Sequence, residues 1–204
     1  MKKNIIVSVF AVLVIIGITA GVTYAYLIVS DTKEFAGKFE SGIMSSLSLT
    51  TVHSSNELVP LLDSKVVTAI SKSSNKCVDK NNYNVCSLYT ITLSNTGDLE
   101  NLYGYVKTTS STYTSNNLKY QIYDSSYNAI TDVMTLSKTS DELVYFKKNS
   151  VQFSLASSGT NVYNLVIWLS DTNSEQSADY SKSFSGKIGF ELVGASSEII
   201  EASF

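Results

Sequence analysis

The sequence contains no arginine, and it has only one histidine, one proline and one tryptophan among 204 residues. Its 15 basic residues are therefore all lysines, so the chain lacks the guanidinium fork with which proteins usually recognise phosphates and bases. A net charge of −3 adds to the argument against nucleic-acid binding. A single histidine also cannot supply the two imidazoles of a His-Glu-x-x-His zinc site, and that motif is absent.

Other catalytic and cofactor motifs are missing as well. The chain has no Gly-x-Ser-x-Gly elbow of a serine hydrolase, and His53, at the end of a predicted strand, is expected to be solvated or hydrogen-bonded. The segment that starts at Asp171 begins like a calcium loop, but Gln176 replaces the required glycine and Lys182 the required glutamate. We interpret it as a polar turn and predict no enzyme activity, no cofactor and no metal site.

The first 25 residues have the character of a secretory signal peptide. Two lysines precede an apolar run from Ile5 to Val22, and small side chains at Thr23 and Ala25 occupy the −3 and −1 positions before Tyr26. This arrangement predicts cleavage between Ala25 and Tyr26. Loss of the two lysines would lower the net charge from −3 to about −5.

A retained membrane anchor is the alternative, because an apolar run of about 18 residues is at the short end of what spans a bilayer. In either case the positive-inside rule places the bulk of the chain outside the cytoplasm. No cysteine follows the run and no Leu-Pro-x-Thr-Gly motif occurs, so lipoprotein and sortase anchoring are unsupported. We predict a secreted protein of the extracellular matrix or cell surface, or a single-pass membrane protein if the segment is uncleaved.

The remaining composition favours strands over helices. Tyrosine (13) and phenylalanine (8) are frequent and proline is nearly absent, as is typical of pleated, half-buried segments. Alternating apolar and polar residues predict strands at 44–52, 66–70, 87–94, 102–108, 118–123, 129–136, 161–169 and 182–193. The sequence therefore predicts an all-β, jelly-roll-like antiparallel β-sandwich, preceded by the signal or anchor helix.

Four regions follow from these patterns: a signal peptide or anchor at 1–25, an N-terminal segment at 26–43, the β-sandwich domain at 44–194 and a tail at 195–204. The strand at 161–169 is apolar on both faces, which is typical of a central strand. The strand at 182–193 is predicted to be the last one, and the tail is predicted to be frayed.

Both cysteines lie in the polar segment between the strands at 66–70 and 87–94. In an exported protein, Cys77 and Cys86 are expected to form one disulfide that closes a short loop. A metal site would need further ligands nearby, and the sequence offers neither a Cys-x-x-Cys motif nor paired histidines.

The residues that follow the predicted cleavage site are apolar and β-prone: Tyr26, Leu27, Ile28 and Val29. They have no obvious partner within their own segment, so they are a candidate for pairing with an exposed sheet edge of another molecule. The alternative is an edge strand that folds into its own domain.

Several short motifs resemble the TasA/camelysin family of exported biofilm-matrix proteins, whose precursors are cleaved by a SipW-type signal peptidase. The motifs are Thr23–Leu27 at the cleavage region, Phe39-x-x-Gly42 before Leu47–Leu49, Ile91–Gly97, Val166–Leu169 and Phe184–Ile188. Together they span nearly the whole chain. The cysteine-containing segment has no counterpart in this pattern.

The resemblance implies a jelly-roll subunit of an extracellular fibre. In that family the mature N-terminal segment can insert as a strand into a neighbouring subunit, which would assign Tyr26–Glu34 the role of donor. The implied partners are other copies of the chain, the SipW-type peptidase and further matrix or host-surface components. Camelysin has been classed as a metallopeptidase, but the zinc motif noted above is absent.

A monomeric cell-surface adhesin or binding module is the second functional hypothesis. It would use tyrosines on its loops, Tyr113, Tyr123 and Tyr127, to contact a glycan or a protein. The segment at 1–25 would then be a retained anchor or the segment at 26–43 a stalk.

Overall fold

The computed structural model describes residues 32–38, 44–55, 58–95, 102–152, 154–155, 159–179, 182–192 and 195–204. The predicted signal peptide, the cleavage site at Ala25 and Tyr26, and the apolar residues Tyr26–Val29 lie outside these ranges. Within them the chain is mostly strand, and the pairings between the named strands are antiparallel. The prediction of an all-β, antiparallel sandwich is confirmed.

The strands run in chain order as follows: β1 (Thr32–Lys38), β2 (Met44–His53), β3 (Ser87–Asn95), β4 (Leu102–Ser111), β5 (Leu118–Asp124), β6 (Met134–Thr135), β7 (Leu143–Tyr145), β8 (Lys147–Lys148), β9 (Val151–Gln152), β10 (Ser154–Leu155), β11 (Gly159–Leu169), β12 (Phe184–Leu192) and β13 (Ala195–Ser203). One short helix, α1 (Val66–Ile70), follows a 3-10 turn at Asp63–Lys65, and a second 3-10 turn covers Ser177–Asp179.

Two sheets form the sandwich. The first has the strand order β1-β2-β3-β11-β5-β6. In the second, β4 pairs with β12, which pairs with β13, while the other edge of β4 is covered by β7 and β10. The chain crosses repeatedly from one sheet to the other, since β3, β5 and β11 belong to the first sheet and β4, β10 and β12 to the second.

The main core fills the space between the sheets. Its largest fully buried side chains include Tyr120 on the first sheet, and Phe190 and Phe146, which meet edge to face at 6.1 Å, on the second sheet's side. Gly104 lies on the inner face of β4, directly beneath the Phe146 ring. A side chain at that position would occupy the volume of the ring.

The second half of strand β11, residues 164–169, is buried on both faces, as its sequence predicts. Leu165, Ile167 and Leu169 belong to the core between the sheets, whereas Val166 and Trp168 belong to a second cluster on the outer face of the first sheet. This outer cluster is covered by α1 and by the segment that contains the two cysteines.

The prediction of a strand at 66–70 is wrong, because these residues form α1. Val66, Ala69 and Ile70 are buried on the outer cluster, at the i, i+3, i+4 spacing of a helix. Their β-branched composition favours a strand locally, but packing a short helical turn over Trp168 buries them better than an exposed strand would.

Cys77 and Cys86 form a disulfide with an S–S distance of 2.02 Å, as predicted. Both cysteines are fully buried in the outer cluster. The loop they close is polar and makes local hydrogen bonds, such as those from the backbone N–H groups of Asn81 and Tyr83 to the carboxylate of Asp79.

Removal of this disulfide is expected to lower the free energy of unfolding by about 2–3 kcal/mol, because the unfolded chain gains the entropy of the open loop. Urea denaturation of a Cys77→Ala/Cys86→Ala variant checks this value. Wild-type protein in reducing agent serves as the control and should shift by a similar amount. Equal urea midpoints for oxidised and cysteine-free protein would contradict the prediction.

The two ends of the sandwich domain differ from the predicted boundaries. Residues 195–204 are not a frayed tail, since β13 pairs with β12 and buries Ile200 and Ala202 in the main core. At the other end the domain includes β1, which pairs with β2 over seven residues from Thr32 to Lys38. The described part of the predicted 26–43 segment is thus an edge strand of its own domain.

Asp63 joins the 3-10 turn before α1 to the first sheet. Its carboxylate accepts hydrogen bonds from the indole Nε1 of Trp168 at 2.8 Å, the hydroxyl of Ser170 at 2.7 Å and the ammonium of Lys119 at 3.1 Å. Partial burial acts to raise the pKa of Asp63, but the three donors outweigh it and hold the pKa below its ordinary value.

An Asp63→Ala variant is expected to lose about 1–3 kcal/mol of unfolding free energy at neutral pH, because the buried indole N–H of Trp168 loses its acceptor. A lowered folded-state pKa means that the carboxylate stabilises the protein above the pKa of an unfolded aspartate, and that this stabilisation fades as the pH falls through the folded pKa. The difference in urea midpoint between wild type and variant should therefore be large at pH 7 and small near pH 2. The exposed Glu175→Ala is the control and should show little difference at either pH.

Candidate functional site

The two lateral sides of the sandwich end in strands of very different length. On one side the sheets end in β1, with seven residues, and β13, with nine. On the other side they end in β6, β7 and β10, with two or three residues each. Short edge strands oppose the addition of another strand, whereas long edges allow it. The β1/β13 side, defined by these two strands, is therefore the candidate pairing surface.

The two long edges lie close together, because β13 contacts both β1 and β2 across the sandwich. Each edge strand has one neighbour in its sheet among the described residues, β2 for β1 and β12 for β13. The outer backbone groups of both strands thus have no strand partner within the described ranges.

The pairing of β13 with β12 fixes which backbone groups point to the free edge. Gly186 and Phe204 exchange both backbone hydrogen bonds, Phe204 N to Gly186 O at 2.9 Å and Gly186 N to Phe204 O at 3.3 Å. Because hydrogen-bonded and non-bonded pairs alternate in an antiparallel ladder, Ser203 and Glu201 direct their N–H and C=O groups away from β12. These two residues are the accessible pairing positions at this end of β13.

Glu201 also anchors the outer face of the second sheet. Its carboxylate pairs with the ammonium groups of Lys107 at 2.8 Å and Lys187 at 2.9 Å, and it accepts the hydroxyl of Tyr105 at 2.9 Å. Burial acts to raise the pKa of Glu201, but these donors hold it below its ordinary value. The carboxylate of Glu201 on β13 is thus negatively charged at neutral pH and is held in position by Lys107, Lys187 and Tyr105.

Thr32 lies at a defined end of the sandwich. It pairs with Thr50, close to the C-terminal residue of β2. At this end of the sandwich, strands β4, β11 and β13 finish and strands β3, β5 and β12 begin. The chain therefore enters β1 from this end, which we call the entry end.

An aromatic pocket of about 290 Å³ opens at the entry end. Its wall includes Tyr89, Tyr113 and Phe184, with Phe204 stacked on Phe184 at 6.0 Å and tilted against Tyr89 at 5.3 Å. Serine hydroxyls and Lys182 complete its lining. The pocket combines an apolar floor with a polar rim, a combination that suits a side chain or a small ligand.

A second, more open pocket of about 430 Å³ lies beside it and is lined by Leu58, Pro60, Leu169, Gln176, Ser177 and Asp179. Asp179 is 5% exposed, and its Oδ2 accepts a hydrogen bond from the side-chain amide of Asn117 at 2.9 Å. Its Oδ1 is buried and has no hydrogen-bond partner among the described residues. Burial, together with the negative charge of Asp179, raises the pKa of the nearby Tyr113 hydroxyl.

The three tyrosines that the adhesin hypothesis predicts to contact a ligand from exposed loops are buried or half-buried in the structure. Tyr113 is 8% exposed, and Tyr123 lies in β5 and is 1% exposed, so neither ring is available to a ligand on the surface. Tyr123 packs in the outer cluster because its position on β5 faces α1. Tyr127 is half-buried beneath Lys76, whose ammonium lies 4.5 Å from the ring centre.

The remaining sequence-predicted residues, His53 and Asp171, make side-chain hydrogen bonds. The Nε2 atom of His53 lies 3.0 Å from the side-chain oxygen of Asn84. Asp171 accepts the backbone N–H of Asn173 at 2.8 Å, which makes the segment a polar turn. In the described ranges, no three His, Cys, Asp or Glu side chains are grouped as metal ligands.

Sequence reasoning missed two features of the entry end, Phe204 and Asp179. The alternation of Ile200, Ala202 and Phe204 with polar residues is a strand pattern that would have identified β13. No pattern in the sequence indicates that Asp179 is buried.

The fold and the site define an antiparallel β-sandwich domain with one side of long, open edge strands. Of the helices in the described ranges, none has the length and apolar character that a membrane crossing requires. The sequence matches no protein-family model and no curated protein.

Proposed function

We propose that this protein is an exported structural subunit of an extracellular matrix fibre, and that its subunits associate by strand exchange on the β1/β13 side. The observation that carries the proposal is the asymmetry of the edges, with two long strands side by side on one lateral side and only short strands on the other. The repeated crossing between sheets supports the jelly-roll-like arrangement that the resemblance to the TasA/camelysin family implies. Membership of that family and processing by a SipW-type peptidase are parts of the same proposal.

The donor would be the short segment that precedes β1. If the chain is cleaved after Ala25, six residues precede Thr32, and they can reach at most about 20 Å when extended. Because Thr32 lies at the entry end, the acceptor copy must meet that end. A contact between different surfaces of successive copies generates an open filament when the rotation between copies does not close a ring.

The first experiment compares the secreted protein, after N-terminal sequencing, with a form that begins at Thr32. This form keeps β1, whereas a form that begins at Gly42 would remove an integral edge strand and confound folding with assembly. We expect large assemblies in size-exclusion chromatography and electron microscopy when the chain begins at Tyr26, and monomers when it begins at Thr32. A secreted protein that is monomeric in both forms would refute the fibre hypothesis and leave the soluble adhesin, and a chain that keeps Met1 and stays with the membrane would leave the anchored one.

A Ser203→Pro variant tests the β13 edge directly. Its N–H points away from β12, so proline removes a donor at the free edge without breaking the ladder to β12. We expect assembly to fall at least tenfold while the melting temperature changes little. Ser203→Ala is the matched control and should assemble like wild type. Normal assembly of a folded Ser203→Pro protein would exclude β13 as the acceptor and leave β1.

A further inference from the structure

The aromatic pocket at the entry end has walls that a ligand can reach. Phe184, Phe204 and Lys182 are half-buried and Ser54 is exposed. Because these side chains keep accessible surface, a molecule that enters the pocket can contact them directly. We propose that this pocket binds a small aromatic carboxylate, whose ring packs on Phe184 and Phe204 and whose carboxylate pairs with the ammonium of Lys182.

The arrangement of the walls suits an aromatic ring. Phe204 is stacked on Phe184, with 6.0 Å between the ring centres and 28° between the planes, and it is tilted against Tyr89 at 5.3 Å. Aromatic pairs in offset or tilted arrangements are stabilised beyond the burial of their area. A further ring that joins this row is therefore favoured over an aliphatic group of the same size.

The volume of the pocket limits the size of the ligand. About 290 Å³ is available, which is close to the lower end of the roughly 300–1,000 Å³ that small-molecule sites usually offer. One ring with a short acid chain fits this space. A long acyl chain would leave much of its apolar surface in water.

The charge of the lining favours an anion. Among the described residues that line the pocket, Lys182 is the one with a charged side chain, and within that part of the chain its ammonium makes no ion pair. Burial raises the pKa of Tyr89, so its hydroxyl remains neutral. Asp179 lines the neighbouring pocket, where its carboxylate accepts a hydrogen bond from Asn117. The local charge is thus positive and opposite in sign to the net charge of the chain.

The hydroxyls of two lining serines already have partners. The Oγ atom of Ser87 accepts the backbone N–H of Ser55 at 3.3 Å, and the Oγ atom of Ser185 lies 3.0 Å from Oγ1 of Thr109. A neutral polar ligand would have to compete with these hydrogen bonds. A carboxylate instead meets a lysine that has no such partner within the described ranges.

The inference does not depend on strand exchange. The apolar residues Tyr26–Val29 of the fibre hypothesis carry no acidic side chain, so they would leave Lys182 unpaired if they filled the pocket. A small carboxylate satisfies both the rings and the ammonium.

Saturation-transfer nuclear magnetic resonance tests the proposal on the secreted protein, because it detects ligand binding to monomers and to large assemblies alike. Phenylacetate is expected to bind saturably at millimolar concentrations. Cyclohexylacetate, which has the size but not the aromatic ring, should bind about two- to tenfold more weakly. The neutral phenylethanol should bind about two- to fivefold more weakly, which is the effect of a half-exposed ion pair.

Three results would overturn the proposal. They are the absence of saturable phenylacetate binding, which includes the case in which a segment of the chain or of a neighbouring copy fills the pocket, equal binding of cyclohexylacetate, and equal or tighter binding of phenethylammonium. None of them bears on assembly, so failure of this proposal is distinguishable from failure of the fibre hypothesis.

Two lysine variants locate the carboxylate. Lys182→Gln is expected to weaken phenylacetate binding about two- to fivefold and to leave phenylethanol binding unchanged. Lys148→Gln makes the same change of net charge at an exposed lysine of β8, outside the pocket lining, and should bind both ligands like wild type. Undiminished phenylacetate binding to Lys182→Gln, or an equal loss in both variants, would overturn the assignment.

A third variant locates the ring. Phe184→Leu should weaken the binding of phenylacetate and phenylethanol alike, by roughly threefold or more, because the contact between rings is lost. Undiminished binding of both ligands to a folded Phe184→Leu protein would contradict the placement of the ring. If this variant fails to fold, the comparison of ligands on wild-type protein and the lysine variants still decide the proposal.

Discussion

A chain that ends at Leu192 is expected to lose its cooperative unfolding transition. The deleted residues include Ile200 and Ala202, which are buried in the main core, and Phe204, whose ring packs on Tyr89 and Phe184. Full burial of an isoleucine contributes about 1.5–3 kcal/mol, a large share of the roughly 5–15 kcal/mol that stabilises a typical domain, and the partly buried Phe204 adds to this contribution. The deletion would also leave β12 as a new, unprotected edge, which favours aggregation.

Circular dichroism and calorimetry of the truncated protein measure this effect. Ile200→Ala provides a graded comparison and is expected to cost about 2–5 kcal/mol, whereas Ser203→Ala on the same strand should cost little. A soluble truncated protein with the melting temperature of wild type would show that β13 contributes nothing to stability.

Gly104→Ala is expected to destabilise the protein by about 1–3 kcal/mol, and Gly104→Val by more. A Cβ atom at this position would overlap Cε2 of Phe146, and the Phe146 ring is fully buried in the core. The effect comes from crowding of the core and not from backbone conformation.

A double-mutant cycle separates these causes. Phe146→Leu alone should be destabilising because it leaves a gap in the core, but combined with Gly104→Ala it should recover part of the loss, since the smaller side chain makes room for the new methyl group. Urea midpoints of the four proteins give the coupling energy. Strict additivity of the two substitutions would contradict the crowding argument.

The predicted and observed folds agree where the residues of a segment specify one kind of secondary structure by their own pattern. Strand β11 was identified as central because both of its faces are apolar, and the structure buries Leu165 on one face and Trp168 on the other. The disulfide between Cys77 and Cys86 is predicted by the presence of two cysteines in a chain with a predicted signal peptide, and the structure contains it.

The differences arise where tertiary contacts decide the structure. Val66–Ile70 has the composition of a strand, but Trp168 and the cysteines, which are distant in sequence, provide an apolar surface that fits a helical turn. The position of residues 195–204 at a chain terminus predicts a frayed tail, but pairing with β12 makes them a strand. The burial of Asp179 depends on Asn117 and on a loop whose path no local pattern specifies.

The position of β13 in the chain also sets the order of events during biogenesis. A ribosome delivers a polypeptide from its amino terminus, so residues 195–203 emerge after the other strands of the sandwich. Until they pair with β12, the nine-residue edge that they form does not exist. A nascent chain therefore cannot offer the β13 edge to a neighbour before its last residues emerge, and until then β12 is itself the edge of the second sheet.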